Sequence, residues 1–435
     1  MKMTSLVRLI LTGVGFSPAS LYFDHARLPR LATHFYDGSR WYQDHLSRRT
    51  GLTRADLYNI RLQDLPILDR HDLHESFDEA VTDPRLSGAL VGANLEGQAE
   101  LPEGIRVLAT SGSTDRKFVV PFYERDLDEA AGRMAVELRP RLSSLLKKRR
   151  TVVILATHGP FTGRRFSERL PRSRFDALTV SVKDPVDAIA RQALDFKATQ
   201  LIGYPSQIAE LARHIVDTGL RHTIESVVLS GEVVTPSARA AIECICDPER
   251  ISNLYMCTEG GLLGIQEGRR PMRLTTTLSV VELLDEADRP VPAGVVGRVV
   301  ITNFFAKILP IIRYEMGDRA TWIPDSNGQP ALHQIHGRSG EMVNLRLDNG
   351  KNVSLHAFVF WDLESLGIKK MQVQNRDRDD LVIIYTAPQD LDVSIRVRLR
   401  ELLARHRITH IHPKLVRVES IPVDGATGKH RFITR

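Results

Sequence analysis

The chain has 435 residues, 42% hydrophobic and 26% charged, a balance that excludes an intrinsically disordered protein and suits two or three packed units. Its net charge of +6 arises from 59 basic and 53 acidic residues interleaved along the chain, which admits anionic ligands but implies no nucleic acid. The three cysteines, Cys244, Cys246 and Cys257, are odd in number and fit a reducing, cytoplasmic setting better than a disulfide framework.

Residues 6–16 form an apolar stretch behind Lys2, but Arg8 interrupts it and no A-x-A-like cleavage site follows. It is also too short to span a bilayer, so neither secretion nor a membrane partner is expected, and the Asn352-Val353-Ser354 sequon is irrelevant. Residues 1 to about 100 read as helical and irregular, with Phe35, Tyr36, Trp41 and Tyr42 spaced to pack on a neighbouring body, and they offer no chemistry. Lys147 to Arg150 reads as a solvated helix end. From residue 151, short β-rich runs alternate with amphipathic stretches, beginning with TVVILAT.

The clearest unit spans residues 199–230. TQLIGYPS is followed by Ile208, Leu211, Ala212, Ile215 and Val216 at helical spacing, then by IESVVLS, which predicts β-α-β. Thr235 and Pro236 supply the cap and first residue of another helix. VVELLD and VVGRVVIT, joined by a Pro/Gly-rich connection, predict an antiparallel pair, so the fold class is α/β with mixed sheets and covering helices. After Gly337-Arg338 a new pattern begins: MVNLRL, a helix-like stretch near residues 355–366, MQVQ, LVIIYTA, a helix over about 392–406, and KLVRVE. It predicts a small α+β domain, 338–435, behind a large domain, 1–337.

Thr110, Ser111, Gly112, Ser113 and Thr114 follow the apolar run GIRVLA. Such a hydroxyl-rich turn can surround phosphate oxygens with N–H and O–H donors, or be an ordinary polar turn; the Walker A spacing is absent. Further along come Ser230-Gly231-Glu232, Tyr255-Met256-Cys257-Thr258-Glu259-Gly260, Arg313-Tyr314-Glu315-Met316-Gly317-Asp318, Gly337-Arg338 and Gly428-Lys429. Taken singly, Tyr255 reads equally as core, Glu259 as a helix-start carboxylate, Asp318 as a turn residue and Lys429 as a solvated terminal cation. As an ordered set they resemble the acyl-adenylate-forming superfamily, and within it the phenylacetate-CoA ligase-like branch, from about residue 105 to the C-terminus.

The resemblance implies a large adenylation domain, a small mobile C-terminal domain, and three small-molecule partners: ATP with Mg²⁺, a carboxylic acid (an aromatic one fits), and coenzyme A. Residues 110–114 would hold the ATP phosphates, and Gly231 and Glu232 would line the adenine pocket. Tyr255 would stack near adenine, Thr258 would bind phosphate and Glu259 would help hold Mg²⁺. Asp318 would take the ribose hydroxyls, Arg338 would lie near the nucleotide at the domain junction, and Lys429 would neutralise charge as the acid attacks the α-phosphate. The acyl pocket would be bordered by Thr157, His158 and Gly159 and by Gly203, Tyr204, Pro205 and Ser206.

Three departures from the family stand out: Asp115 follows Thr114 where glycine is usual, Ser339-Gly340-Glu341 follows Gly337-Arg338, and residues 344–350 differ from the usual ligase pattern. They leave open an amine or carrier-protein thiol as acceptor, and a nucleotide-binding protein without turnover. The cysteines lack a convincing fourth ligand for a metal and read as buried structural thiols. His406, His410 and His412 read as packing or helix-end residues.

Overall fold

The computed structural model describes residues 20–109, 118–138, 149–155, 175–338, 342–423 and 430–434. Strands β1 (Ile105–Ala109) and β2 (Val119–Tyr123) pair antiparallel, with Ala109 opposite Val119. The parallel part of the main sheet comprises β3 (Arg149–Leu155), β4 (Phe175–Ser181), β5 (Gln200–Gly203), β6 (Ser226–Ser230) and β7 (Ile251–Cys257). An antiparallel part follows: β8 (Gly261–Glu267), β9 (Met272–Leu274), β10 (Ser279–Leu284), β11 (Gly297–Asn303), β12 (Tyr314–Pro324) and β13 (Pro330–Arg338). Together they make one 11-stranded sheet, in the order β10-β11-β12-β13-β9-β8-β7-β6-β5-β3-β4. The mixed α/β class and the antiparallel β10–β11 pair are as the sequence predicts. The basic run is not, since Arg149 and Arg150 open β3, and the Arg150 Nε donates to the Lys197 carbonyl at 2.5 Å.

Helix Pro205–Ile215 connects β5 to β6, completing the expected β-α-β unit. Proline starts it without loss of a needed donor, and Ile208, Leu211, Ala212 and Ile215 are buried against the sheet. Each fully buried large aliphatic contributes about 1.5–3 kcal/mol. Helix Pro236–Glu243 is capped as expected, the Thr235 side chain accepting from the Ala238 N–H at 3.3 Å.

The N-terminal helices Ser20–Gly38 and Arg40–Thr50 pack Phe35, Trp41 and Tyr42 into the core beneath β1, β2 and the antiparallel part of the sheet. The chain then runs beside β12: the Leu68 N–H donates to the Arg313 carbonyl at 3.0 Å, and the Glu315 N–H to the Leu68 carbonyl at 2.8 Å. Arg313, at φ +46°, is buried; it donates to the Leu65 carbonyl at 2.7 Å and grips the Glu282 carboxylate through two nitrogens at 3.2 Å. Burial pushes the Glu282 carboxyl up despite the guanidinium beside it. Arg313→Met strands that carboxylate and releases Leu65, so it is expected to destabilise the fold by about 3–5 kcal/mol, read as a shift of the denaturant midpoint.

The C-terminal part has its own core, built on Val343, Phe360, Met371, Ile383, Tyr385, Ile395 and Leu399. It contains the hairpin β14 (Met342–Arg346) and β15 (Asn352–His356), then β16 (Lys370–Gln374), β17 (Val382–Thr386), β18 (Lys414–Arg417) and β19 (Ile433–Thr434). The last four form a sheet ordered β18-β17-β16-β19. The α+β character is as expected, and helix Asp392–Arg405 lies where the sequence predicts it. The helix-like stretch near 355–366 is instead the end of β15 followed by the 3-10 helix Ala357–Leu366.

Candidate active site

Several of the candidate residues lie at the carboxyl ends of parallel strands, where open α/β sheets bind their ligands. Gly203 ends β5 and residues 204–206 follow it, Gly231 and Glu232 follow β6, and residues 258–260 form the turn after β7. Gly231 has φ +87°, a conformation only glycine adopts cheaply.

The β7–β8 turn is rigidly held. The Asn303 side-chain amide donates to the Glu259 carbonyl at 2.5 Å, the Ser279 hydroxyl to the Gly260 carbonyl at 2.7 Å, and the Gly260 N–H to the Cys257 Sγ at 3.1 Å. Asn303 and Ser279 are fully buried, and a side chain at Gly260 would press within 2.8 Å of Ile301. Thr258 and Glu259, themselves buried, are thus fixed in place.

Opposite lies Asp318. Between Val300↔Glu315 and Arg298↔Arg319 the β11–β12 register shifts, so residues 316–318 bulge out around Gly317 at φ +79°. The bulge turns Asp318 toward Tyr255, whose hydroxyl donates to the Asp318 Oδ2 at 2.6 Å. Asp318 is also in register with Arg338 across β12 and β13, so the two meet at least through their backbones.

Glu259 lines an open cleft of about 330 Å³ with residues 314–317 on one side and 69–71 on the other. The sequence reading missed this wall, having assigned no chemistry to the first hundred residues. The parallel bridge from Leu68 to Tyr314 brings it there, and no periodicity announces a single-bridge contact across so long a separation. Phe118, just after the hydroxyl-rich segment, stacks on Tyr314 with centroids 5.4 Å apart, and the Arg70 guanidinium lies 5.9 Å from the Phe118 ring centre. Residues 110–114 and 157–159 and Lys429 lie outside the described residues, but the first segment is bracketed by paired Ala109 and Val119.

The C-terminal part docks on this edge of the sheet. The His430 N–H donates to Glu232 Oε1 at 3.0 Å, while Glu232 Oε2 accepts from the Ser206 N–H at 3.1 Å. The His430 Nε2 donates to the Met371 carbonyl at 2.8 Å, and burial holds its imidazole below the usual histidine range. Lys370 pairs with Glu210, and Glu364 accepts from the Ser237 N–H at the start of helix Pro236–Glu243 at 3.1 Å. Burial raises the Glu364 carboxyl, partly offset by these hydrogen bonds.

The remaining sequence candidates have structural roles. Cys246 is buried and its thiol is pushed up to about 11, Cys257 serves the turn, and Cys244 is exposed, contrary to the expectation of a buried thiol. His410, on the segment after helix Asp392–Arg405, bridges Asp348 at 2.9 Å in the β14–β15 turn and Asp379 at 3.4 Å in the β16–β17 connection. Among the described residues no group of three or more His, Cys, Asp or Glu could hold a metal ion by itself, and no helix is long and apolar enough to cross a membrane. Glu259 does fit Mg²⁺, which binds to one or two carboxylates together with substrate phosphates rather than to an all-protein cage.

No protein-family model matches the chain, and no curated protein matches it in sequence. Among solved structures, 2-hydroxyisobutyryl-CoA ligase in the postadenylation state, in complex with R3-HIB-AMP, superposes with a TM-score of 0.70 at 18% identity, over 94% of this chain and 88% of that one. The chain has this ligase's fold. The same ligase with 2-HIB-AMP and CoA in the thioesterification state gives a TM-score of 0.59 at 20% identity, with the same coverage of 94% and 88%. The amide bond synthetase McbA from Marinactinospora thermotolerans gives 0.54 at 17% identity, over 75% of this chain and 68% of that one.

Proposed function

We propose that the protein is an AMP-forming ligase that activates a carboxylic acid with ATP and passes the acyl group to an acceptor. The observation that carries this reading is the Tyr255–Asp318 hydrogen bond next to the cleft that Glu259 shares with Gly317, together with His430 docked on Glu232 after the neighbouring strand β6. Lys429 immediately precedes His430 in the sequence.

In this mechanism Asp318 accepts hydrogen bonds from the ribose hydroxyls, oriented by the Tyr255 hydroxyl, and Tyr255 offers its ring to adenine. Gly231 and Glu232 border the base, residues 110–114 and Thr258 hold the phosphates, and Arg338 flanks the nucleotide. The substrate carboxylate oxygen attacks the α-phosphorus, the α–β bridging P–O bond breaks, and its electron pair leaves on pyrophosphate. Lys429 stabilises the charge developing between carboxylate and phosphate. Glu259 would hold Mg²⁺, which supplies Lewis-acid stabilisation of the phosphate oxygens when bound.

Residues 1–337 act as the large domain and 338–435 as a mobile small one. The higher TM-score against the postadenylation state, 0.70 against 0.59, supports reading the docked arrangement as the adenylating one. The reading further assigns the chain to the phenylacetate-CoA ligase-like branch, with an aromatic acid bordered by residues 157–159 and 203–206, coenzyme A as acceptor, and a cytoplasmic setting.

Carboxylate-dependent exchange between ATP and pyrophosphate, with Mg²⁺ and pooled aryl, fatty and amino acids, tests it. Signal is expected from the aryl pool, and a thioester once coenzyme A is added. An amide or carrier-bound product would move the acceptor to an amine or a carrier thiol. Silence from every pool, with ATP bound, would leave a nucleotide-binding protein without turnover.

A further inference from the structure

We propose that Arg70 forms a pyrophosphate subsite, contributed by the N-terminal region and contacting the β- and γ-phosphates of ATP. The inference rests on the adenylation reading and extends it to a residue outside every motif that reading uses.

Three observations lead to Arg70. It lines the same cleft as buried Glu259, so a group bound at the Glu259 carboxylate has a guanidinium across from it. Its position is fixed rather than incidental: Leu68, two residues earlier, is bonded on both sides of Tyr314, and Leu65 accepts from buried Arg313. Its guanidinium also lies 5.9 Å from the ring centre of Phe118, which comes four residues after the hydroxyl-rich segment 110–114 in the sequence, and Phe118 is itself stacked on Tyr314.

The chemistry needs such a cation. The cleft also carries the carboxylates of Asp69 and Glu259, and that of Glu315, which Arg298 already pairs; the first two would repel a polyphosphate unless cations or a metal offset them. When the α–β bond breaks, the electron pair accumulates on the departing β-phosphate oxygen. A planar guanidinium donates two parallel N–H bonds to phosphate oxygens, which an ammonium does not. Arg70 thus serves the leaving group, on the other side of the reacting phosphorus from the acid that Lys429 serves.

The test uses the full-length chain and compares wild type, Arg70→Gln and Arg70→Lys in ATP–pyrophosphate exchange at varied pyrophosphate. Loss of a charged hydrogen-bonding partner, about 1.5–3 kcal/mol, corresponds to a rise of about 10- to 150-fold in the KM for pyrophosphate in Arg70→Gln. The KM for the acid should stay within about threefold. Arg70→Lys, which keeps the charge and loses the fork, should fall between and covers the case in which the glutamine variant folds poorly. Thermal shift supplies a readout without turnover: the extra stabilisation by ATP over AMP in wild type should shrink in both variants while the AMP response stays. A wild type that exchanges, beside variants with unchanged pyrophosphate KM, overturns the Arg70 assignment alone. A wild type silent with every acid overturns the adenylation reading itself.

Discussion

Lys429→Ala is expected to slow acid-dependent ATP–pyrophosphate exchange by about 10²–10³-fold, the usual effect of removing one preorganised donor from a developing oxyanion. AMP affinity, followed by calorimetry, should change by less than about threefold. The asymmetry follows from what the lysine meets. In the proposed mechanism adenine and ribose are served by residues of the main sheet, Tyr255 and Asp318 among them, whose mutual hydrogen bond does not involve Lys429. The charge between the acid and the α-phosphate exists only as the bond forms, so Lys429 is felt in kcat more than in binding. Unchanged exchange would remove Lys429 from the mechanism, and an equal loss of AMP binding would make it a nucleotide ligand instead.

Where local pattern and tertiary structure agree, the sequence is legible. The β-α-β unit around helix Pro205–Ile215, the capped helix Pro236–Glu243 and the β10–β11 pair all follow from periodicity and capping, because each is decided within about thirty residues. The mixed α/β class and the C-terminal α+β part are legible for the same reason. The Tyr255–Asp318 hydrogen bond is not predicted by either residue alone. It depends on a bulge at Gly317 and on the antiparallel half of the sheet folding back toward β7, and only the ordered set of motifs hinted that the two belong together.

Illegible features share a physical cause. Asn303 and Ser279 hold the β7–β8 turn through side chain to backbone bonds 44 and 19 residues away, with nothing periodic to reveal them. The stretch at residues 65–71 reads as irregular because it is held to β12 by a single bridge and one buried arginine, and it still supplies a wall of the cleft. Charge alone makes the run Lys147 to Arg150 read as a helix end, yet Arg149 and Arg150 belong to a strand. They open β3 because the parallel pairing to Phe175 and Asp176 outweighs their polarity, with the Arg150 side chain finding the Lys197 carbonyl.

Glu232→Ala is expected to lower the exchange rate by about 10- to 10²-fold while leaving AMP affinity nearly unchanged. The family resemblance puts Glu232 beside adenine, but both its carboxylate oxygens are engaged elsewhere: one holds the Ser206 N–H at the start of helix Pro205–Ile215, the other the His430 N–H of the terminal segment. Only the second bond depends on docking, and a hydrogen bond to a charged group contributes about 1.5–3 kcal/mol, enough to shift the docked population by the stated factor. Glu232 would then act through Lys429, and the two effects cannot add. In a Lys429→Ala background the Glu232→Ala change should cost less than about threefold, a coupling that a double-mutant cycle reads directly. Lys370→Ala, which breaks the pairing with Glu210 on the same interface, should weaken exchange in the same sense and to a smaller degree, as expected of a partly exposed ion pair. If Glu232→Ala instead weakens AMP binding as much as exchange, and multiplies with Lys429→Ala, the carboxylate belongs to the adenine pocket and docking must rest on Glu364 and Lys370.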